Sequence, residues 1–518
     1  MKCFFLTTAI DYANGSPHLG HAYEKILADA VVRSKRLEGV PCHFLTGLDE
    51  HGQKVQETAE RLGRDPQLLC DGTAEEFKSM CGHMKIAYDD YVRTTEPRHK
   101  KVVQDILRLL SEKEEIYKAA YCGLYSVRAE RFVQEKDRIN GRWPEDFGEV
   151  VELREENYFF RLSKYQDWLV DFLQKNSDFI YPAYRQKQVL EFLKEPLNDL
   201  CISRPKSRLR WGIELPIDRD YVTYVWFDAL INYISAVGYG TENFTNFWPA
   251  DVQVIGKDIL APAHAVYWPI MLHAIGLPPP RRLLVHGWWL AKGGAKMSKS
   301  EGNAIRPMDY ADAYGPDAFR YFVLREMNVG QDSNFSHALF VARYRSDLAN
   351  DLGNLLSRLM SMLDRYCGGI VPLPEVCDDP EKELKALAEE VIGKVRKHCE
   401  AYDFSGALEE VLSLVRAGNR YLECREPWKL AKGGPAAQKI LRACLGNGAE
   451  CLRIGAELLF PAMPAAAEKM LSQLGAERIG DWLALAWGDS LTGRKIGERT
   501  ILFPPIEEEG DALSPLPA

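Results

Sequence analysis

Apolar and polar positions alternate along the chain in distinct textures. Over the first 115 residues, short apolar runs at Cys3–Thr8 and Cys42–Gly47 read as buried strands. Between and after them, Ala22–Glu38, Val55–Gly63, Thr73–Met84 and His99–Lys113 carry apolar residues at helical spacing, as at Ile26, Ala30 and Val31. Strand, helix, strand, helix in that order predicts a parallel sheet with right-handed crossovers, whose ligands bind beyond the carboxyl ends of the strands. From about 116 to 222 the texture changes to short strands, turns and the aromatic run Asn157-Tyr158-Phe159-Phe160, which predicts an inserted domain. The first texture then resumes with a strand at Asp251–Ile255, a helix at Ala263–Ala274 and a strand at Arg282–His286, followed by a loop of glycines and lysines over 291–303. Past about 325 the pattern turns helical. Ala338–Tyr366 puts Leu348, Leu352, Leu355, Leu356, Leu359 and Met362 on one face, and Glu381–Ala401, Phe404–Glu423 and Ala436–Leu459 complete a helix bundle. The stretch 506–518, rich in proline and glutamate, is expected to be a disordered tail.

Composition narrows the class. The 518 residues are 46% hydrophobic and 27% charged, enough for about three globular domains. No apolar run approaches the roughly 18 residues that cross a bilayer, and the chain enters a strand too early for a cleaved signal, so the cytoplasm is expected. The net charge of −9 argues against a blanket polyanion binder; any nucleic acid must be met by local patches such as Arg98–Lys101 or Arg204–Arg210. The 12 cysteines form no C-x-x-C pair and no zinc-spaced cluster, as expected for reduced thiols.

Candidate chemistry collects in three places. His18-Leu19-Gly20-His21 joins the first strand to the first helix, where backbone N–H groups, the positive helix end and two imidazoles would meet a phosphate. By itself this turn reads equally as an ordinary connection whose histidines cap the helix. Lys292-Gly293-Gly294-Ala295-Lys296-Met297-Ser298-Lys299-Ser300 suits a mobile lid that supplies positive charge as negative charge builds up. Asp49, with His51, closes the second strand, where a carboxylate could hold an ammonium.

His18–His21 resembles the HIGH motif, and Lys296-Met297-Ser298-Lys299-Ser300 the KMSKS motif, of class I aminoacyl-tRNA synthetases; here they stand about 275 residues apart. Four further blocks resemble the methionyl-tRNA synthetases. These are Ile10-Asp11-Tyr12-Ala13-Asn14-Gly15, Thr46-Gly47-Leu48-Asp49-Glu50-His51-Gly52, Tyr224–Tyr233, and Gly256–Leu260 with His264–Trp268. The resemblance implies a Rossmann-type parallel-sheet catalytic domain in two halves, 1–115 and 223–325. An inserted connective domain occupies 116–222, and an all-α anticodon-binding domain 326–505. It implies ATP-dependent activation of L-methionine to methionyl-adenylate and transfer to tRNA(Met), with Mg²⁺ on the ATP phosphates.

Residue by residue, the resemblance has His18, His21, Lys296 and Lys299 act on ATP, with Gly20 leaving room for the adenine. Asp49 would bind the α-ammonium, and Ile10, Tyr12, Trp226, Ala229, Tyr233, Ile259 and His264 would line a pocket suited to a thioether. Asn419–Trp428 resembles the family's anticodon segment, in which Trp428 would stack on a base. Asn350 is a candidate for base-edge hydrogen bonds and equally an ordinary surface asparagine of its helix.

The chain also departs from the family. Where many relatives open a zinc knuckle, it has Ser126 and Ala129, and Trp143 replaces a later cysteine, so no structural zinc is expected and Trp143 packing would take its place. Asp258 and His264 stand one residue further apart than in the family's block. A C-terminal dimerisation extension is missing, which predicts a monomer. The insertion is too short for a large editing domain.

Overall fold

The computed structural model describes residues 2–126, 131–133, 135, 138, 141–144, 147–291, 293–294 and 305–506. They form two compact units. The first comprises Met1–Ser16, Leu45–Lys78 and Tyr88–Val285, and the second Pro17–Phe44, Ser79–Ala87 and His286–Ala518.

A seven-stranded sheet organises the first unit, in the order Asp11–Tyr12, Cys42–Asp49, Phe4–Thr8, Val252–Gly256, Leu283–His286 and Ile180–Tyr181, with Asp90–Arg93 also paired to Cys42–Asp49. The pairings of Phe4–Thr8 with Val252–Gly256 and of Cys42–Asp49 with Asp90–Arg93 are parallel, as alternating strands and helices require. The central strand is buried along nearly its whole length, so its run is apolar or threonine throughout, and Thr8 meets Thr46 hydroxyl to hydroxyl at 2.7 Å. The second strand runs two residues past its expected end and finishes on Asp49. Its short parallel partner sets Asp11 against Leu48 and Tyr12 against Asp49.

The insertion forms its own antiparallel sheet. Ile116–Ser126 pairs with Val150–Phe160 from Ile116 opposite Phe160 to Ser126 opposite Val150. A smaller sheet of Ser203–Pro205, Asp218–Thr223 and Glu214–Leu215 follows it in sequence. The helix expected at Ala263–Ala274 is wound differently. Leu260–Tyr267 is a π-helix with Ala261 extended inside it, and Trp268–Ala274 is α-helical.

In the second unit, Leu19–Leu37 is a helix buried at every position from Ala22 to Val32. Pro316–Glu326 is buried at eight consecutive positions, from Asp317 to Leu324, and reads accordingly as apolar on nearly every side. The single helix expected over Ala338–Tyr366 divides into His337–Arg343, a π-helix at Tyr344–Gly353 and Asn354–Cys367. Asp379–Glu400, Phe404–Arg425 and Pro435–Leu459 make the expected bundle. Pro464–Gln473 adds a helix that the hydrophobic pattern does not announce. Beyond it Trp482 is buried, its backbone N–H donating to Leu37 O at 2.7 Å and its indole to Glu457 O at 3.2 Å. Residues 507–518 of the expected tail lie outside the described residues.

Candidate functional site

Of the two readings of the His18 turn, the structure shows the capping one. His18 is the N-cap of Leu19–Leu37, and its Nδ1 accepts from Gly20 N–H at 3.1 Å. His21, three residues on, returns the bond: its Nδ1 accepts from His18 N–H at 3.3 Å. The pair forms a capping box built from imidazoles, and the rings stack with centroids 3.6 Å apart. Because each Nδ1 accepts, each neutral ring carries its proton on Nε2. The turn thus joins two Nε2–H groups to a positive helix end, the donor set an anion requires. Gly20 serves this stack directly: a Cβ there would come within 3.1 Å of His18 Cε1.

In the first unit, the residues expected to form a pocket come together. Ile10, Tyr12, Trp226 and Ile259 are partly buried against one apolar cluster that contains Tyr233. His264 is buried, edge-on to Trp226 at 6.3 Å and to Tyr233 at 5.8 Å, and Ala229 is buried on the helix that carries Trp226. The His264 tautomer is set by its partners: Nδ1–H donates to Ile259 O at 2.9 Å, and Nε2 accepts from the Tyr233 hydroxyl at 2.8 Å. Burial pushes its pKa down to about 4 against the opposing pull of Ile259 O and Asp258, so the ring is neutral at physiological pH. Asp49, buried and paired in register with Tyr12, brings a carboxylate to the strand end. Gly52, at φ +106°, lets the strand end turn beneath Tyr12, since a Cβ there would sit 2.4 Å from Tyr12 Oη.

A clasp that periodicity does not reveal holds this pocket. The buried Asp228 carboxylate binds His51 Nδ1 at 2.6 Å and His99 Nε2 at 2.7 Å, and His99 Nδ1 meets Ser235 Oγ at 2.8 Å. Asp228 lies on Val225–Leu230, the helix of Trp226 and Ala229, and His51 lies two residues beyond Asp49. Burial opposes ionisation of Asp228, but the charge and hydrogen bond of His51 and the contact with His99 outweigh it. They hold its pKa at about 2, against an ordinary 3.8. The depressed value means that the clasp stabilises the fold fully above about pH 4 and loosens as pH falls towards about 2. Asp228→Asn, which can satisfy both imidazoles only with a changed proton arrangement, is expected to lower stability by about 1.5–3 kcal/mol, the effect of losing one charge-assisted bond. Denaturant unfolding at neutral pH measures it; an unchanged midpoint would mean that the clasp does not hold the fold.

On the bundle, Trp428 is 38% exposed, unusual for so large an apolar side chain. The Arg358 guanidinium lies over its ring at 5.8 Å, a partner that the sequence pattern does not single out although a basic residue on the neighbouring helix was there to be noticed. Asn350 is exposed within the π-wound segment. Asn419 donates to Asp351 O at 3.0 Å, fixing the backbone beside it.

At the expected zinc-free knuckle, Ser126 is buried and donates to Phe147 O at 2.5 Å. Trp143 packs against Phe147 at 6.2 Å with Arg138 over its ring at 4.1 Å. Ala129 lies outside the described residues, as do Lys292, Lys296 and Lys299. Among the described residues, no group of three or more His, Cys, Asp or Glu side chains is placed to hold a metal, and no helix is long and apolar enough to cross a membrane.

Comparison with known proteins supplies the frame for this geometry. The family model "tRNA synthetases class I (M)" matches residues 4–149 and 146–360, and "Anticodon binding domain of methionyl tRNA ligase" matches 371–510. A methionine–tRNA ligase of Deinococcus radiodurans is 46% identical over 517 residues, covering 98% of this chain and 75% of the relative. A second, from Caldanaerobacter subterraneus, is 42% identical, covering 99% and 80%. Among solved structures, Mycobacterium tuberculosis methionyl-tRNA synthetase in complex with methionyl-adenylate superposes with a TM-score of 0.92 at 39% identity, covering 98% of this chain and 100% of that one. With this likeness running through both the pocket and the bundle, the chain belongs to the class I methionyl-tRNA synthetases.

Proposed function

We propose that the pocket of Ile10, Tyr12, Trp226, Ala229, Tyr233, Ile259 and His264 takes the methionine side chain, while Asp49 holds its ammonium. His18 and His21 engage the ATP phosphates, and Gly20 makes room for the adenine. The methionine carboxylate oxygen attacks the α-phosphorus, the bond to the β-phosphate bridge breaks, and pyrophosphate leaves. A tRNA hydroxyl then attacks the carbonyl carbon and releases AMP. No protein atom enters a covalent bond, so the residues act by position and charge. Lys299, helped by Lys296, balances the charge that grows on the transferring centre. Mg²⁺ travels with ATP, held mainly by its phosphates.

The observation that carries this reading is the pairing of Tyr12 with Asp49 at a strand's carboxyl end, beside an aromatic wall in which burial keeps His264 neutral. Such a wall suits a polarizable thioether and offers nothing to a charged side chain. ATP–pyrophosphate exchange across the amino acids tests it, and lack of exchange with methionine would refute it.

Trp428 stacks on an anticodon base in this reading, with Asn350 at the base edges. Trp428→Ala is expected to leave pyrophosphate exchange intact and to lower tRNA charging by up to about a hundredfold, the upper range for one lost stacking platform. Unaltered charging would remove Trp428 from the tRNA site.

The proposed organisation is a catalytic domain in two halves, 1–115 and 223–325, around a connective insertion at 116–222, then an anticodon-binding domain at 326–505. We further propose a cytoplasmic monomer, in keeping with cysteines that form no C-x-x-C pair along the chain. The insertion is proposed to do without zinc: metal analysis of the purified protein is expected to find less than one tightly held zinc per chain. A stoichiometric zinc would overturn that.

A further inference from the structure

Tyr12 is half-buried on the short strand Asp11–Tyr12, and two opposite charges stand beside it. Asp49 is its register partner on Cys42–Asp49, so the two residues are neighbours on adjacent strands. Lys54 Nζ lies over the Tyr12 ring, 5.6 Å from its centroid. Lys54 belongs to the first turn of the helix Gln53–Leu62, which begins shortly after Asp49. The chain makes this return at Gly52, whose positive φ lays the helix start against the Tyr12 hydroxyl.

Three bonds pin that turn. Gly52 N–H donates to Trp211 O at 3.2 Å, and Gln56 Oε1 accepts from Arg210 N–H at 2.9 Å and Trp211 N–H at 3.2 Å. The backbone of Lys54 is therefore held in place before any ligand arrives, as a binding residue requires. Helix formation does not ask for a lysine here. A cation in the first turn opposes the positive end of the helix dipole, and this turn has no acidic residue and no side-chain cap. A cation–π contact with a half-buried ring offsets only part of that cost.

The chemistry of an α-amino acid accounts for the lysine. Its ammonium and carboxylate sit on one carbon, about 2.5 Å apart from nitrogen to carboxyl carbon. Once the ammonium is on Asp49, the carboxylate has to lie beside Tyr12, where Lys54 Nζ stands. The aromatic wall of Trp226 and Tyr233 offers a carboxylate no opposite charge, and a buried charge needs one.

We propose that Lys54 is a further substrate-binding residue: its ammonium holds the α-carboxylate of methionine while Asp49 holds the α-ammonium, a clamp for the zwitterion with Tyr12 between its jaws. This rests on the assignment of the pocket to methionine. The carboxylate loses its full charge as it becomes the acyl phosphate of the adenylate. Lys54 therefore serves binding of the free amino acid, and its loss should appear in KM for methionine and not in kcat.

The test compares L-methionine with L-methioninol, in which CH₂OH replaces the carboxylate, by calorimetric titration of the full chain without ATP. Lys54→Met keeps the length of the stem and removes the charge. It should weaken methionine binding about twentyfold, the fold-change of one hydrogen bond to a charged group. Methioninol should bind the variant as it binds the wild type. Lys54→Arg keeps a cation and should recover part of the methionine affinity. An equal loss with both ligands would mean that Lys54 only braces the Tyr12 ring, and unchanged affinity for both would place it outside the site; either result overturns the clamp. If the two ligands do not compete in the wild type, the pocket assignment fails and the clamp with it. Lys54→Gln repeats the measurement if Lys54→Met loses its cooperative melt.

Discussion

Replacing His21 by alanine is expected to slow methionine-dependent pyrophosphate exchange about a thousandfold, with only a small loss of stability. Two roles of one imidazole are being removed, and their sizes differ. As the reciprocal half of a capping box, its Nδ1 holds the His18 backbone N–H, a bond whose loss costs about 1 kcal/mol. In its proposed role as an Nε2–H donor to a charged phosphate in the transition state, it would be worth the roughly 3–4 kcal/mol measured for one preorganised donor. The catalytic effect should therefore dominate. His21→Gln separates the roles, because glutamine at this third helical position restores the box without an imidazole. It should recover the thermal midpoint of the wild type but not the rate. A glutamine variant with full activity would mean that His21 serves only the helix.

Lys299→Ala should lower the activation rate by a few hundredfold while leaving KM for methionine unchanged, because in the proposed mechanism its ammonium acts on charge that exists only as the pyrophosphate departs. That mechanism gives it no part in holding methionine. Lys299→Arg keeps the charge but presents a rigid planar fork, so recovery should be partial. Single-turnover measurement of adenylate formation over a methionine series gives both quantities. If KM rises and the rate constant holds, Lys299 belongs to the substrate pocket and not to the phosphates.

What was legible in the chain follows the range of the interaction. Strand Phe4–Thr8, helix Leu19–Leu37 and the capping histidines are coded within a few residues of themselves, and all stand close to where the pattern puts them. The proposed pocket residues are named by their likeness to the family's motifs, and Tyr12 and Asp49 among them stand at strand ends. Four features were not legible. The clasp joins Asp228 to residues 177 and 129 positions away, and a lone buried aspartate among aromatics carries no periodic signal. Arg320 meets Asp29 across 291 positions, in a run that otherwise reads as an apolar helix. The π turns at Leu260–Tyr267 and Tyr344–Gly353 leave the composition of a helix intact while changing its winding, so leucine spacing alone predicts an unbroken α-helix through the second of them. Pro464–Gln473 was missed for another reason: its first turn leans on Asp317, whose carboxylate accepts from Ala466 N–H at 2.5 Å.

The pairing of Tyr233 with His264 has a consequence for damaged amino acids. The phenol has one proton and gives it to the imidazole; the imidazole has one proton and gives it to Ile259 O. Since burial keeps the ring from taking up a second, this pair has none left to donate near neutrality. A thioether asks for none. Methionine sulfoxide brings a strong acceptor oxygen, and burying it against these two residues without a partner costs about 1–3 kcal/mol. In the proposed methionine pocket the pair would therefore disfavour the oxidised amino acid by a shortage of protons and not by a clash.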